Sequence, residues 1–447
     1  MRNSIFRFAA ANAAVALAFL ALTSAPALAV PSFAEQTGQP CTACHVGGFG
    51  PQLTPFGRTF KLEGYTMRAG EGFTLPVSAM AVASYIHTSA DQDPQPHYSA
   101  NDNVTLDQAS LFVAGGVGEH FGGFTQWTYD GVGRAFSWDN IDLRATTHET
   151  IADTDVLLGV SLNNGPSIQD AWNTLPAWGF PYTDSDLVPA PGAGTMLDGG
   201  LAQSTLGVSA YAYWNSAIYT EVGFYWTPGH NFLRAMGPDS SSVDVVDGAT
   251  PYLRVAYQKD YGDQNFEIGA FALLPHLYPG GDKSAGTTDR YSDMGLDGSY
   301  QFMGDATNIY TLNARYTYET RNLAASYLML GADRRHNHLS DMRLDGSYYW
   351  HNLVGGSVGV FDTTGSSDAL LYADNRTFSP DSSGLRFQID ATPFANDTSM
   401  LGPRFAMRVG VQYVAYTRFD GASNNYDGLG HNASDNNTLR IFTWFAL

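Results

Sequence analysis

Tyr310-Thr311-Leu312-Asn313-Ala314-Arg315-Tyr316-Thr317-Tyr318-Glu319 alternates apolar and polar residues without a break. In an extended chain, successive side chains point to opposite sides. Tyr310, Leu312, Ala314, Tyr316 and Tyr318 therefore share one face, and Thr311, Asn313, Arg315, Thr317 and Glu319 share the other. The same period of two recurs where Phe405, Met407, Val409, Val411 and Tyr413 interleave with Arg404, Ala406, Arg408, Gly410 and Gln412. It recurs again in Leu385, Phe387 and Ile389 against Arg386, Gln388 and Asp390, in Met342, Leu344, Tyr348 and Trp350 against Arg343, Asp345 and Ser347, and in Ile141 and Leu143 against Asn140, Asp142 and Arg144. From residue 76 to residue 447, stretches of about ten such residues follow one another and break at Gly, Asp, Asn or Pro.

A soluble β-sandwich has the same period, so alternation alone does not place the chain in a membrane. Three features favour a transmembrane antiparallel β-barrel. About 16 alternating segments are too many for one sandwich and suit a porin-sized barrel of even strand number. Trp214, Trp226, Tyr316, Tyr318, Tyr348 and Trp350 lie near segment ends, where aromatic girdles sit. The last segment, with Leu439, Ile441, Phe445 and Leu447 on one face, has the form of a closing barrel strand. The long stretch from Asn163 to Gly200 has two readings, a constriction folded into the lumen or an exposed surface loop.

Composition agrees with an exported membrane protein. Aromatic residues reach 13% and charged residues only 15%, which argues against disorder. The 23 basic and 43 acidic residues leave a net charge of −20, with lysine only at 61, 259 and 283, so no nucleic-acid-binding surface is expected. Arg2 and Arg7, the apolar run from Ala9 to Leu22, and Ala27-Leu28-Ala29 have the form of a secretory signal over residues 1–29, too short in its apolar part for a membrane anchor. Its removal takes the balance from −20 to −22. The expected organisation is a cleaved signal (1–29), a short N-terminal segment (30–75) and the barrel (76–447), which places the protein among outer-membrane lipids.

The chemistry lies before the barrel. Cys41-Thr42-Ala43-Cys44-His45 is CxxCH, the attachment sequence for c-type haem. Two thiols at that spacing form thioethers to the haem vinyl groups, and the adjacent imidazole is the proximal iron ligand. These are the chain's only two cysteines. The competing reading, a redox dithiol, normally belongs beside a βαβ unit, and nothing in residues 30–75 suggests one. A segment of this length is too short to enclose a haem with its own core, so it is expected to plug or cap the pore; a tethered periplasmic haem domain is the alternative. Met67 is the nearest downstream methionine and a candidate distal ligand, with Met80, His87, His97 and His120 further on. Arg144, Arg254, Arg315, Arg343, Arg386, Arg404 and Arg408 are expected to face inward, either toward haem propionates or in ion-pair ladders with Asp142, Glu267, Asp345 and Asp390.

The run Val30 to Gly38, the CxxCH motif, Leu53-Thr54-Pro55-Phe56-Gly57-Arg58, Phe60-Lys61-Leu62 and Gly64-Tyr65-Thr66 resembles the fused outer-membrane monohaem cytochrome–porins of iron-oxidising bacteria. The resemblance is dense over residues 30–66 and architectural beyond. Glu35 stands where that family commonly has Arg, Gln52 where it often has an acid, and Gly47-Gly48-Phe49-Gly50 is unusually glycine-rich. The resemblance implies oxidation of extracellular Fe(II), with the electron passed to a periplasmic c-type cytochrome. From the residues alone, a covalent haem within a membrane barrel implies electron transfer. Acidic loop residues such as Asp91, Asp93, Asp184, Asp186, Asp239, Asp244 and Asp247 would attract Fe(II) or simply be solvated. A porin with a haem-bearing plug, a conduit for another donor and a haem sensor are the competing functions.

Overall fold

The computed structural model describes residues 31–70, 75–238, 243–304, 306–394 and 405–447. The expected signal segment and Arg404 lie outside them. Sixteen long strands form one closed antiparallel sheet. They are β1 (Val77–Thr88), β2 (Asn103–Val117), β3 (Phe121–Asp130), β4 (Ala135–Ile151), β5 (Thr154–Asn163), β6 (Leu206–Trp214), β7 (Ile218–Trp226) and β8 (Thr250–Tyr261). The second half comprises β9 (Gln264–Leu273), β10 (Asp289–Phe302), β11 (Asn308–Asn322), β12 (His336–Trp350), β13 (Val354–Gly365), β14 (Ser382–Ala391), β15 (Ala406–Arg418) and β16 (Thr438–Ala446). Each strand pairs with its chain neighbour, and β16 returns to β1 with Met80 opposite Ala446, which closes the barrel. Two short strands, Val245–Val246 and His276–Tyr278, pair with each other beside the wall.

The sidedness of the strands separates a membrane barrel from a sandwich. Along β11, Leu312 and Tyr316 are each 47% exposed, while Thr317 is 1% and Glu319 0% exposed. On β14, Ile389 is 69% exposed and its neighbour Asp390 2%. Apolar residues face out and polar residues face in, the reverse of a soluble protein and the pattern a lipid-facing barrel requires. Among the described residues, all five alternating stretches read from the sequence take this orientation. Outward aromatics meet near one end, with Phe266–Tyr300 and Tyr310–Tyr348 ring centroids 4.8 and 4.9 Å apart. At that end strands join through tight turns such as Ala152-Asp153, where φ values of +50° and +63° suit a two-residue hairpin. Long connections, 164–205 the longest, lie at the other end.

The N-terminal segment lies inside the barrel. It comprises α1 (Pro31–Thr37), α2 (Cys41–Cys44) and α3 (Pro55–Leu62). Its hydrogen bonds reach separate parts of the wall: Tyr65 to Asp142 on β4 (2.7 Å), Tyr211 of β6 to the Leu62 carbonyl (2.5 Å), and Arg58 to Gln301 on β10 (3.3 Å). A segment tethered outside the barrel would make none of these contacts. The 164–205 connection also turns inward. Trp172 is buried and donates to Gln258 at 2.7 Å, and Asp170 meets Arg254 of β8 at 3.2 Å. Of its two readings, the constriction is the one observed.

Candidate functional site

The CxxCH motif is shaped by the backbone on both sides of it. The His45 amide donates to the Cys41 carbonyl at 2.9 Å as α2 ends, and His45 then adopts extended backbone and bridges to Leu53. Thr54 is the N-cap of α3: its hydroxyl accepts from the Gly57 amide at 3.1 Å and donates to the Ala43 carbonyl at 2.5 Å. One side chain thus starts the next helix and ties it to the motif. Gly57 packs on the Cys44 carbonyl so closely that a Cβ there would come within 3.0 Å of the Cys44 Cα.

The motif opens onto a cavity of about 420 Å³, within the range of small-molecule and cofactor sites. Cys41, Cys44 and His45 form one side, and Phe33, Phe60 and Tyr65 extend it. Met80 of β1 and Trp444 of β16 contribute from the wall, and Trp178 and Tyr182 from the long connection. The lining is largely apolar and aromatic. The Tyr182 hydroxyl and Trp444 Nε1, both cavity-lining, are buried without a hydrogen-bond partner. Such orphaned donors invite a polar ligand group.

The electrostatics suit a ligating imidazole and disfavour a reactive dithiol. Burial and the nearby Arg408 push His45 down to about 4, with the Gly50 backbone opposing, so the ring stays neutral as an iron ligand must. Its Nδ1 is buried without a hydrogen-bond partner. Burial and the adjacent Cys41 push Cys44 up to about 12. Redox dithiols need the opposite shift, because the thiolate is the attacking species. Cys41 and Cys44 form no disulfide.

Other expected site residues are distributed more widely. The Met67 carbonyl accepts from Gln36 at 2.9 Å, but Met67 does not line the cavity, whereas Met80 does. His87, His97 and His120 also lie away from it. The arginines mostly form the ladders: Arg144 pairs with Asp142 (2.8 Å), Arg254 with Asp297 (2.7 Å), Arg315 and Arg343 with Asp341 (3.1 and 2.8 Å), and Arg408 with Asp390 (3.4 Å). Arg386 instead lies over the Phe361 ring at 4.6 Å, and Asp345 accepts from Asn313 at 3.2 Å. Sequence reading missed Lys61 as a contact residue. Buried in α3, it donates to the carbonyls of Ile168 (2.7 Å) and Asp170 (2.6 Å) and sits 4.7 Å from the Trp178 ring, joining the N-terminal segment to the long connection.

No family model and no curated protein matches the chain. Among solved structures it is similar to an anion-selective porin from Comamonas acidovorans, at 12% identity and TM-score 0.45, over 83% of this chain and 98% of that one. It is also similar to OmpF of Salmonella typhi in complex with daunomycin, at 12% identity and TM-score 0.46, over 84% and 98% respectively. OmpT of Vibrio cholerae matches at 10% identity and TM-score 0.42, over 84% and 97%. At these values the likenesses assign no function. The closed barrel with its apolar outer surface is itself the architecture by which chains cross the bacterial outer membrane.

Proposed function

We propose that this chain is an outer-membrane electron-transfer protein of the fused monohaem cytochrome–porin type, oxidising extracellular Fe(II) and delivering the electron to a periplasmic c-type cytochrome. The observation that carries the reading is the CxxCH motif opening onto a largely apolar, aromatic-lined cavity inside a membrane barrel. Bound there, haem c supplies a one-electron redox centre between the two sides of the membrane. Cys41 and Cys44 would hold it through thioethers and His45 through its neutral imidazole. Tyr182 and Trp444 offer hydrogen bonds to its polar edge. The aromatic lining lowers the polarity around the site, and Trp178 and Tyr182 bring the 164–205 connection to its edge.

The test is the visible spectrum of the detergent-solubilised, haem-loaded chain, recorded without oxygen before and after adding Fe(II). Rapid appearance of the reduced haem spectrum supports the proposal, and its loss in His45→Ala with the barrel still assembled ties it to the motif. Reduction by dithionite but not by Fe(II) would retain the haem and remove iron as donor. The sixteen-stranded wall supports a second reading, a porin whose passage is set by the plug. In that case ion conductance is the function, and it survives His45→Ala.

A further inference from the structure

A buried cation lies directly behind the CxxCH motif. Arg408 projects inward from β15, is 2% exposed, and donates from Nη2 to the Gly47 carbonyl at 3.0 Å, two residues beyond His45. The Gly47 amide donates to Asn352 Oδ1 at 2.8 Å, so the peptide after the motif is held from both sides. Glycine is required here for space as well as conformation. A Cβ on Gly47 would overlap the Arg408 guanidinium and approach the Tyr349 ring at 2.7 Å, and one on Gly50 would meet Arg408 Nη1 at 3.1 Å. Gly47, Gly48 and Gly50 take φ values of +71°, +71° and +114°, a region glycine occupies without penalty.

The guanidinium sits between the Tyr349 and Trp444 rings, 5.8 and 5.9 Å from their centroids. Asp390 opposes it at 3.4 Å without a hydrogen bond to Nε, while the carboxylate accepts from Tyr349 at 3.0 Å and from Gln388 at 2.6 Å. Trp444 and Gly50, both beside Arg408, line the cavity, so the charge lies one residue behind the cavity wall. A positive charge held in a low-dielectric interior favours the redox state carrying one fewer positive charge.

We infer that Arg408 is a positioning residue that fixes the glycine turn behind His45, and that its buried charge raises the reduction potential of a haem bound at the motif. This rests on the haem reading proposed above. At a fixed ambient potential, Arg408→Gln is expected to lower the ratio of reduced to oxidised haem about tenfold, about 59 mV for a one-electron couple. Asp390→Asn, which removes the opposing charge, is expected to raise that ratio, and Arg408→Lys to stay near the parent value.

The experiment is a spectroelectrochemical titration of the full-length, haem-loaded chain and these variants in detergent. Opposite shifts for Arg408→Gln and Asp390→Asn support the inference, since simple damage to the fold has no reason to reverse sign with the charge removed. An unmoved midpoint in Arg408→Gln, or shifts of the same sign, would overturn it. Should Arg408→Gln not assemble, Asp390→Asn decides alone: a raised midpoint supports the inference, and a lowered or unchanged one overturns it. A parent chain carrying no covalent haem overturns the functional reading together with the inference, whereas haem present with an unmoved midpoint overturns only the inference.

Discussion

Lys61→Met should abolish a pH dependence that the structure builds into the contact between the N-terminal segment and the lumen connection. Lys61 is 5% exposed, and its Nζ donates to the carbonyls of Ile168 and Asp170. Burial, strengthened by the cation at Arg144 and opposed by Asp142, Asp170 and Glu221, pushes Lys61 down to about 7. In the unfolded chain it titrates near ~10.4. Between those values the open state binds a proton that the packed state releases, so packing strengthens as pH rises from about 7 to about 10 and levels off outside that window. The slope approaches ~1.4 kcal/mol per pH unit, or about tenfold per unit in the opening equilibrium. Hydrogen exchange of the amides in 164–205, corrected for the intrinsic pH dependence of exchange, measures it. The parent chain should gain protection through this window and Lys61→Met should not. An equal slope in both proteins would refute the assignment to Lys61, and protection falling with pH in the parent would refute the sign.

Thr54→Ala removes the N-cap of α3 and the hydrogen bond to the Ala43 carbonyl. The combined cost is about 2 kcal/mol, read as faster hydrogen exchange over 55–62 with the barrel melting transition unchanged. Trp172→Ala deletes a buried side chain and its hydrogen bond to Gln258; at about 3–5 kcal/mol it should release the lumen connection to protease while the wall stays folded. Leu312→Arg places a charge on the lipid face of β11, and folding into bilayers should weaken by about 2–4 kcal/mol if this position lies near the midplane.

The wall was legible in the sequence because the membrane imposes one rule on every strand. Leu312 against Asn313 and Ile389 against Asp390 state that rule locally, with no need to know which strands pair. The interior was less legible, because it depends on contacts between distant parts of the chain. The Asn163–Gly200 stretch reads equally well as an inside or an outside loop until Asp170 is seen beside Arg254. Lys61 reads as an ordinary helix lysine, since nothing in Phe60-Lys61-Leu62 reveals that the carbonyls of Ile168 and Asp170 lie above it. The last strand does carry a signal about the interior. Ile441-Phe442-Thr443-Trp444-Phe445 breaks the alternation by placing aromatics on both faces, and an apolar residue pointing into a lumen needs an apolar partner there. Phe49 is that partner, its ring centroid 4.5 Å from that of Trp444.

The apolar contacts of the N-terminal segment also constrain the order in which a haem can be attached. Leu62 packs with Leu157, Trp172 and Tyr211, Phe49 with Val82, Phe442 and Trp444, and Val46 with Ile309 and Tyr349. These are three separate clusters on different parts of the wall, and beyond the small Phe33–Phe60–Tyr65 cluster the segment relies on the closed barrel for its apolar contacts. Cys41 and Cys44 then face a cavity inside the barrel that Trp178 and Tyr182 also line. In the folded chain haem must reach the thiols through the interior of the barrel, past the N-terminal segment or the 164–205 connection, whereas an unfolded chain presents CxxCH freely. Thioether formation should therefore precede barrel closure. Chain refolded into detergent without haem, then offered reduced haem, should acquire little covalent haem, while the same chain treated in urea before refolding should acquire it. Equal yields by the two routes, measured by the haem absorbance that remains with the denatured polypeptide, would show that haem reaches the thiols in the closed barrel and that the order of assembly is not fixed by it.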